Sequence, residues 1–272
     1  MTQTRRKAIE LLDRHGLTPS RALGQNFLVD PNTVRRIVRL ADVGEDDGVI
    51  EIGAGLGALT VALAETGANV TAIEIDRYLL PVLREVTDGM AIDVIEGDAM
   101  ALDWSMVLSG RESWSLIANL PYNIATPLVC DVLDQVPKVK RLFVMVQREV
   151  GERLAAGPGE VAYGIPSVKV SYWATARIVG RVPPTVFLPQ PKVESALVRI
   201  DRRATPAVNS DPDVLFGLVR QAFGQRRKML RRSLADKVSP EQFAVAGVRP
   251  EARPEELGII EWGQLTDALT RV

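Results

Sequence analysis

Cysteine and histidine are almost absent from this chain of 272 residues, in which each occurs once, as Cys130 and His15. A lone cysteine cannot form an internal disulfide, and it cannot provide the thiolates of a structural zinc site. A lone histidine excludes a serine–histidine–aspartate triad assembled around a distant nucleophile. We therefore expect no metal centre. His15 precedes Gly16, which predicts a helix-end contact rather than catalysis, and Cys130 is predicted to be a small core residue.

Long apolar segments are also missing. No window of 18 residues is apolar throughout, and the first residues, MTQTRRKAIELLDRHG, lack the apolar core of a secretory signal. We expect a cytoplasmic protein that does not engage a membrane. Apolar residues still account for 46% of the chain, which is enough to bury the core of a globular fold of about two domains.

The net charge of −1 speaks by itself against a nucleic-acid-binding protein, but the charges are sorted along the chain. Residues 1–40 carry 8 basic and 3 acidic groups (+5), and residues 41–137 carry 3 and 17 (−14). Residues 138–203 carry 12 and 5 (+7), and residues 204–272 carry 10 and 9 (+1). This sorting suits a catalytic core flanked by surfaces that bind a polyanion. Acidic helix faces that merely keep the core soluble would explain the same pattern.

Short apolar runs alternate with helical patterns in the middle of the chain, which predicts βαβ units and a doubly wound, mostly parallel sheet. The runs that we predict as parallel strands cover 49–53, 69–75, 91–97, 115–120 and 141–147. Two further runs, at 176–182 and 196–201, are joined by a proline-rich segment too short for a helical crossover. We predict that these two pair antiparallel at the sheet edge. The fold class is therefore α/β, with a Rossmann-like sheet and a small α-helical carboxyl-terminal domain.

Helical patterns outside the sheet set the predicted domain boundaries. A basic amphipathic helix at 4–15 and a second helix at about 31–41 form an amino-terminal extension over 1–45. With the sheet, this extension makes a catalytic domain over 1–204. A turn-rich stretch then leads into a helical domain over 205–272.

Glycines follow the first predicted strand in the segment EIGAGLGALT, which begins at Glu51. Gly53 and Gly55 allow a tight turn and a close approach of the backbone to a ligand at the start of the next helix. Glu74 ends the second strand, 21 residues after Gly53, where a carboxylate can accept hydrogen bonds from two ribose hydroxyls. A dinucleotide fold and a methyl-donor fold both use this arrangement, and a tight turn alone would also explain the glycines.

The segment after the fourth strand separates these interpretations. Asp98 ends the third strand, where an adenine amino group needs an acceptor, and Asn119-Leu120-Pro121-Tyr122 follows the fourth. The exocyclic amine of adenine is a poor nucleophile, and its two N–H groups can donate to the Asn119 side chain and to a backbone carbonyl held rigid by proline. Tyr122 can stack on a flipped-out base. Methyl transfer that is helped by positioning of this kind needs no general base. The segment therefore favours an amino-group methyltransferase over a dinucleotide-binding enzyme. A plain proline turn with a core tyrosine is the alternative.

These segments resemble the ribosomal RNA adenine N6,N6-dimethyltransferase family over nearly the whole chain and in the family's order. The matching segments are LGQNFLVD (23–30), EIGAGLGALT (51–60), IEID (73–76), GDAM (97–100), NLPYNIATP (119–127), VPPTVFLPQPKVESALV (182–198) and AFGQRRKMLRRSL (222–234). The last two are the most specific, because many methyltransferases share the earlier loops. Ala54 stands where family members often have proline, and a small residue there should leave the loop unchanged.

The resemblance implies an S-adenosylmethionine-dependent methyltransferase that acts on two adjacent adenines in the 3′-terminal hairpin of small-subunit ribosomal RNA, within a pre-ribosomal particle. The positions that it implies for cofactor binding are Asn26, Leu28, Gly53, Gly55, Glu74, Asp98 and Asn119. Glu74 would bind the ribose, Asp98 the cofactor adenine, and Asn119 would lie between cofactor and target base. Phe187 is implied as a second aromatic in the target pocket, with a core phenylalanine as the alternative.

A cationic run lies near the carboxyl end, where residues 220–232 contain six basic side chains and no acid. On one helix they would form a broad cationic face suited to RNA phosphates, which a protein contacts for affinity and orientation. The side chains that we assign to RNA are Arg226, Arg227, Lys228, Arg231 and Arg232. A solvated helix face is the alternative, although the run offers no acid for pairing. We expect a monomer.

Three other functions compete with this one. A large-subunit RNA methyltransferase that confers antibiotic resistance shares the fold and the Asn-X-Pro-Tyr segment, but QRRKML and FLPQPKVES favour the small-subunit enzyme. A noncatalytic RNA-binding assembly factor would not need an intact glycine loop with Glu74, Asp98 and Asn119. A nicotinamide oxidoreductase has no use for the Asn-Leu-Pro-Tyr segment.

Overall fold

The computed structural model describes residues 3–269, and its packing divides the chain into two units. The first, here called the sheet unit, contains the residues up to Gly151 and the segment Arg177–Asp201. The second, the helical unit, contains Glu152–Ala176 and the residues from Arg202 onward. No helix among residues 3–269 has the length and apolar character needed to cross a membrane.

The strands form a doubly wound sheet. They are β1 (Phe27–Leu28), β2 (Gly48–Ile52), β3 (Asn69–Glu74), β4 (Ile92–Glu96), β5 (Trp114–Asn119), β6 (Val139–Gln147), β7 (Ala174–Val182), β8 (Phe187–Leu188) and β9 (Ser195–Arg202). The order in the main sheet is β4-β3-β2-β5-β6-β9-β7. Adjacent strands from β4 to β6 are parallel, and β9 is antiparallel to β6. The predicted α/β fold class is confirmed, as is the pairing of β7 with β9 at one edge.

Sequence signals at the helix ends explain where the helices begin and stop. The helices are α1 (Arg5–Arg14), α2 (Pro31–Ala41), α3 (Ala58–Ala64), α4 (Leu80–Val86), α5 (Trp104–Val107), α6 (Ala125–Gln135), α7 (Arg148–Ala155), α8 (Ile165–Trp173), α9 (Pro212–Gly224), α10 (Leu230–Ser233), α11 (Pro240–Ala246) and α12 (Ile259–Ala268). Asp30 caps α2 by accepting from Thr33 N–H at 2.8 Å. His15 caps α1, and its Nε2 lies 2.8 Å from Glu85 Oε2. Cys130 is half-buried on α6.

The register of the sheet brings the ends of four strands together. Glu74 on β3 pairs with Glu96 on β4, and Asn119 on β5 pairs with Met145 on β6. Because these strands are parallel, the residues that follow β2, β3, β4 and β5 lie along one edge of the sheet. In open parallel sheets this carboxyl edge is where ligands bind.

A second, two-stranded sheet pairs β1 with β8 antiparallel, with Leu28 opposite Phe187. From α1, Arg5 donates to the carbonyl oxygens of Thr185 at 3.0 Å and of Phe187 at 2.7 Å. The proline-rich segment between β7 and β9 therefore holds both α1 and β1. Since β1 directly follows Asn26, this contact also fixes the chain that enters the carboxyl edge.

The helical unit has an apolar core of its own, which includes Trp262 and Phe243. Tyr163 and Tyr172 from the segment 152–176 join this core, and their hydroxyls donate to the carbonyl oxygens of Leu257 at 2.8 Å and Ser210 at 2.9 Å, respectively. The boundary predicted at 204/205 therefore misassigns this segment, because chain order gives no sign that its tyrosines pack against later helices.

The cationic run does not form one helix. α9 ends at Gly224, residues 225–229 form a turn, and α10 is a single short helix. Leu230 N–H donates to Ala252 O at 2.8 Å, and Arg231 N–H donates to Pro250 O at 3.0 Å. The predicted continuous helix is wrong because these tertiary bonds replace the bonds that a helix would make within the run.

Candidate active site

A cavity of about 270 Å³ lies at the carboxyl edge of the parallel strands, and every residue that lines it belongs to the sheet unit. Glycine, carboxylate and amide groups from four strand ends meet there. The predicted site residues among those that line it are Asn26, Leu28, Gly53, Gly55, Glu74, Asp98, Asn119, Leu120, Pro121 and Tyr122. The cavity therefore brings together the residues predicted for cofactor and for target base, apart from Phe187.

Phe187 lies in the core instead. It is 0% exposed and belongs to an apolar cluster with Leu28 and Val34. In this structure it does not line the cavity where we predicted it, because its side chain is buried within that cluster. Its contribution to the site is indirect, through the pairing with Leu28 that holds β1 in place.

The backbone of the glycine loop takes conformations that favour glycine, and at Gly55 a side chain would also lie very close to Phe27. Gly55 has a φ of 57°, and a Cβ added there would lie 3.0 Å from Cδ1 of Phe27. Gly53 has a φ of 72°, and a Cβ there would lie 3.6 Å from Cδ of Pro121. Both conformations favour glycine. The loop between β2 and α3 therefore presents bare backbone to the cavity and contacts the segment that follows β5.

Glu74 is a buried carboxylate held by two backbone donors. It is 5% exposed, and it accepts from Gly55 N–H at 2.7 Å and from Asp76 N–H at 2.9 Å. Burial raises the pKa of Glu74, while the two backbone N–H groups act in the opposite direction by stabilising the charged form. A carboxylate offers about four acceptor positions, so both oxygens can also accept from hydroxyl groups of a ligand.

Glu51 is a functional candidate that the sequence interpretation missed. It is 2% exposed on β2, it lines the cavity, and its Oε2 has no hydrogen-bond partner within residues 3–269. Burial is the main cause that raises its pKa to about 8; the hydroxyl of Thr60 acts in the opposite direction, and the nearby charge of Glu74 acts in the same direction as burial. A buried carboxyl with an unused oxygen suits a ligand that brings a positive charge. The available signal was an acidic residue inside the otherwise apolar run VIEI.

The ligand-free protein is expected to lose stability as pH rises from about 5 to about 8, because folded Glu51 binds a proton in this range that the unfolded chain has released. Glu51→Gln should flatten this dependence and raise the free energy of unfolding at pH 8 by up to a few kcal/mol. Urea unfolding at pH 5 and pH 8 measures the free energy of unfolding of each variant. Glu10→Gln, on the exposed face of α1, is the matched control. Equal pH slopes for Glu51→Gln and wild type would contradict this expectation.

Asn119 is oriented by the segment that precedes β1. Its Nδ2 donates to Asn26 O at 3.0 Å, and the Asn26 side chain in turn donates to Gly24 O at 3.0 Å. With Nδ2 committed to Asn26, the Oδ1 of Asn119 is the atom available to accept from a ligand. The amide is therefore fixed as an acceptor at the cavity.

Tyr122 and Asp98 also line the cavity. Tyr122 is half-buried, its hydroxyl lies 3.4 Å from Ser195 Oγ, and burial raises its pKa. It therefore stays a neutral aromatic surface. Asp98 is exposed and accepts from Met100 N–H through Oδ1 at 2.9 Å. No group of three or more His, Cys, Asp or Glu side chains within residues 3–269 could hold a metal ion.

The cationic run of the helical unit is partly paired. Arg226 Nε lies 3.6 Å from Glu255 Oε2, and Arg231 Nη1 lies 3.4 Å from Glu251 Oε1. These acids are distant in sequence, which is why the run itself offers no sign of them. The side chains that are exposed and have no acidic partner in the described part of the chain are Arg227, Lys228 and Arg232.

Comparisons with known proteins converge on one family. The family model described as "Ribosomal RNA adenine dimethylase" matches residues 17–270. Small-subunit ribosomal RNA methyltransferase A of Cutibacterium acnes is 46% identical over 277 residues, covering 96% of this chain and 92% of that protein. The same enzyme of Kineococcus radiotolerans is 44% identical over 266 residues, with coverage of 94% and 88%.

Solved structures agree with the fold. The 23S ribosomal RNA methyltransferase ErmE superposes with a TM-score of 0.71 at 26% identity, covering 90% of this chain and 100% of that one. A dimethyladenosine transferase from Plasmodium falciparum gives a TM-score of 0.74 at 24% identity, with coverage of 88% and 95%. The second likeness concerns the fold alone.

Proposed function

The chain belongs to the ribosomal RNA adenine dimethylase family and is an S-adenosylmethionine-dependent methyltransferase; from that premise, we propose that it dimethylates N6 of two adjacent adenines in the 3′-terminal hairpin of small-subunit ribosomal RNA. The observation that carries this proposal is the meeting of the Asn119 segment, the glycine loop and Glu74 in one cavity. Binding of RNA alone does not require that combination.

The residues present fit the cofactor. S-adenosylmethionine is cationic at its sulfonium and amino groups, and it supplies the methyl group when bound. Glu51 offers an unused buried oxygen to such a ligand, and Glu74 offers acceptors for ribose hydroxyls. Asp98 offers an acceptor for the adenine amine, and Gly53 adds no side chain to the cavity that both residues line.

The chemistry proposed for the target side is positioning. The adenine N6 amine has two N–H groups, for which the Asn119 Oδ1 and the Leu120 carbonyl are the acceptors. Accepting both bonds draws the nitrogen lone pair out of the ring and toward the methyl donor. Pro121 keeps the Leu120 carbonyl rigid, and Tyr122 stacks on the base. The N–CH3 bond forms as the S–CH3 bond breaks, and the proton that N6 then loses passes to water, so no general base is needed and orientation and hydrogen bonding supply the rate enhancement.

The choice of small-subunit RNA rests on sequence similarity. The two bacterial relatives named for the small subunit are 44% and 46% identical to this chain, whereas the large-subunit enzyme ErmE is 26% identical. Mass spectrometry of ribosomal RNA from a deletion strain tests the choice. We expect loss of dimethyladenosine from the small subunit alone, and loss from the large subunit would favour the alternative substrate.

We further propose that the protein acts as a monomer on a pre-ribosomal particle in the cytoplasm, where its RNA substrate is assembled. The cations of the run that are exposed and have no acidic partner in the described residues, which are Arg227, Lys228 and Arg232, suit the phosphates of that folded RNA surface.

Replacing Arg227, Lys228 and Arg232 together by alanine is expected to weaken binding to small-subunit particles and to reduce the salt slope of log K by about 2. The affinity for S-adenosylmethionine should not change, because the cavity lies in the sheet unit. The matched control removes Lys237, Arg249 and Arg253, three exposed cations of the same unit outside the run. A salt series of particle binding measures the difference, and equal slopes for both triple variants would contradict the assignment.

A further inference from the structure

Gln25 closes the loop that leads into Asn26. Its backbone N–H donates to Ser20 O at 3.1 Å, and Ser20 N–H donates to Gln25 Oε1 at 2.7 Å. Gly24 N–H donates to Arg21 O at 3.1 Å within the same loop. These bonds make residues 20–25 a compact turn, and they use only the oxygen end of the Gln25 side chain.

The nitrogen end of that side chain reaches the end of β3. Gln25 Nε2 donates to Asp76 Oδ2 at 2.7 Å, while Asp76 Oδ1 accepts from Tyr78 N–H at 3.0 Å. Asp76 N–H donates to Glu74 Oε1, and Gly55 N–H donates to Glu74 Oε2. A continuous set of hydrogen bonds therefore joins the loop to the buried carboxylate and to the glycine loop.

The same loop also controls the target side of the cavity. Asn26 follows Gln25 directly, and its carbonyl oxygen is the acceptor for Asn119 Nδ2 at 3.0 Å. A Cβ added to Gly24 would lie 3.7 Å from Cβ of Pro121, so the loop packs against the segment after β5. A displacement of the loop would remove the acceptor that orients the Asn119 amide.

We infer that Gln25 is a positioning residue that ties the 20–26 loop to Asp76 and thereby aligns the cofactor side of the cavity, at Glu74, with the target side, at Asn119. Its bond to Asp76 is charge-assisted, which makes it stronger than the neutral bonds that close the turn. The effect on cofactor affinity does not depend on the RNA substrate. The effect on turnover rests on the role proposed for Asn119.

An exchange of donor and acceptor tests this role. Q25E keeps an oxygen for Ser20 N–H but sets a carboxylate against Asp76. In D76N the amide has one oxygen, which accepts from Tyr78 N–H. Its NH2 group then faces the NH2 group of Gln25, and two donors meet without an acceptor. We expect each single variant to bind S-adenosylmethionine about tenfold more weakly in calorimetry. In Q25E/D76N the new amide can donate to the new carboxylate, and affinity should return to within about threefold of wild type.

The matched control is Q135E, which makes the same chemical change at the exposed end of α6. Q135E/D76N should bind as weakly as D76N. At saturating cofactor, kcat on small-subunit particles should fall in Q25E and recover in the double variant. Loss of a ribose contact alone would weaken cofactor binding but would not lower kcat once the cofactor is saturating.

Two results would overturn the inference: wild-type affinity in Q25E, or a Q25E/D76N variant that binds no better than the weaker single variant. Circular dichroism identifies a variant that does not fold. A single variant that unfolds and is restored in Q25E/D76N supports the inference, and an unfolded double variant overturns it. Recovery of affinity without recovery of turnover would instead contradict the role proposed for Asn119.

Discussion

Asn119→Ala is expected to abolish methyl transfer while S-adenosylmethionine affinity stays within about threefold of wild type. The variant removes the oxygen that accepts from the target amine, so the loss falls on the chemical step. Nδ2 of Asn119 contacts only the carbonyl of Asn26 in the described part of the chain, and β1 remains held by its pairing with β8. Transfer of radiolabelled methyl groups to small-subunit particles measures the loss, and calorimetry measures the affinity.

The matched control for this variant is Asn69→Ala. Asn69 is an exposed asparagine at the amino end of β3, the end away from the carboxyl edge of the sheet. It should retain wild-type transfer. Transfer by Asn119→Ala at a rate near that of Asn69→Ala would remove Asn119 from the reaction. A parallel collapse of cofactor affinity would show that Asn119 serves the cofactor rather than the target base.

Glu74→Ala should weaken S-adenosylmethionine binding by about 2–3 kcal/mol, because it removes a charged acceptor for two ribose hydroxyls. This corresponds to a dissociation constant raised roughly 30- to 150-fold. The Glu74 side chain also accepts from the Gly55 and Asp76 N–H groups, so the substitution can lower the stability of the fold. A thermal unfolding measurement therefore accompanies the calorimetry and shows that the variant is folded.

Glu96→Ala is the control for Glu74→Ala, since Glu96 pairs with Glu74 across β3 and β4 but is exposed. It should leave the affinity unchanged. Unchanged affinity in a folded Glu74→Ala variant would refute the ribose assignment. Tight binding of NAD by the wild-type protein would overturn the assignment of the whole cavity.

Much of the site could be predicted because a parallel sheet converts chain order into position. Gly53, Glu74, Asp98 and Asn119 each lie at or just after the carboxyl end of a different strand, and the parallel arrangement puts all four at one edge. Apolar runs fix such strands well, since β2, β3, β5 and β6 are mostly buried. The strands were therefore predicted to within a few residues.

The remaining features depend on contacts between segments that are distant in the chain. Phe187 is an aromatic beside prolines in the sequence, and only the pairing of β8 with β1 shows that its ring lies in the core. The end of the cationic run is held by backbone bonds from Leu230 and Arg231 to residues 252 and 250 instead of by bonds of one continuous helix. No local pattern carries either contact.

Glu51 and Gln25 were missed for a different reason. Both belong to quoted motifs, but a motif does not reveal which side chain has an unused oxygen or a remote partner. Glu51 becomes informative through its burial and its unpartnered Oε2. Gln25 becomes informative through its bond to Asp76, which lies 51 residues away in sequence.

The most direct test of the central claim is methylation of small-subunit particles that have been purified from a strain lacking this enzyme. The particles are incubated with the wild-type protein and S-adenosylmethionine, and the RNA is mapped by mass spectrometry. We predict two methyl groups on N6 of each of two adjacent adenines in the 3′-terminal hairpin, and none with Asn119→Ala. Methyl groups on large-subunit RNA instead, or none on particles to which the cofactor-loaded protein binds, would contradict the claim.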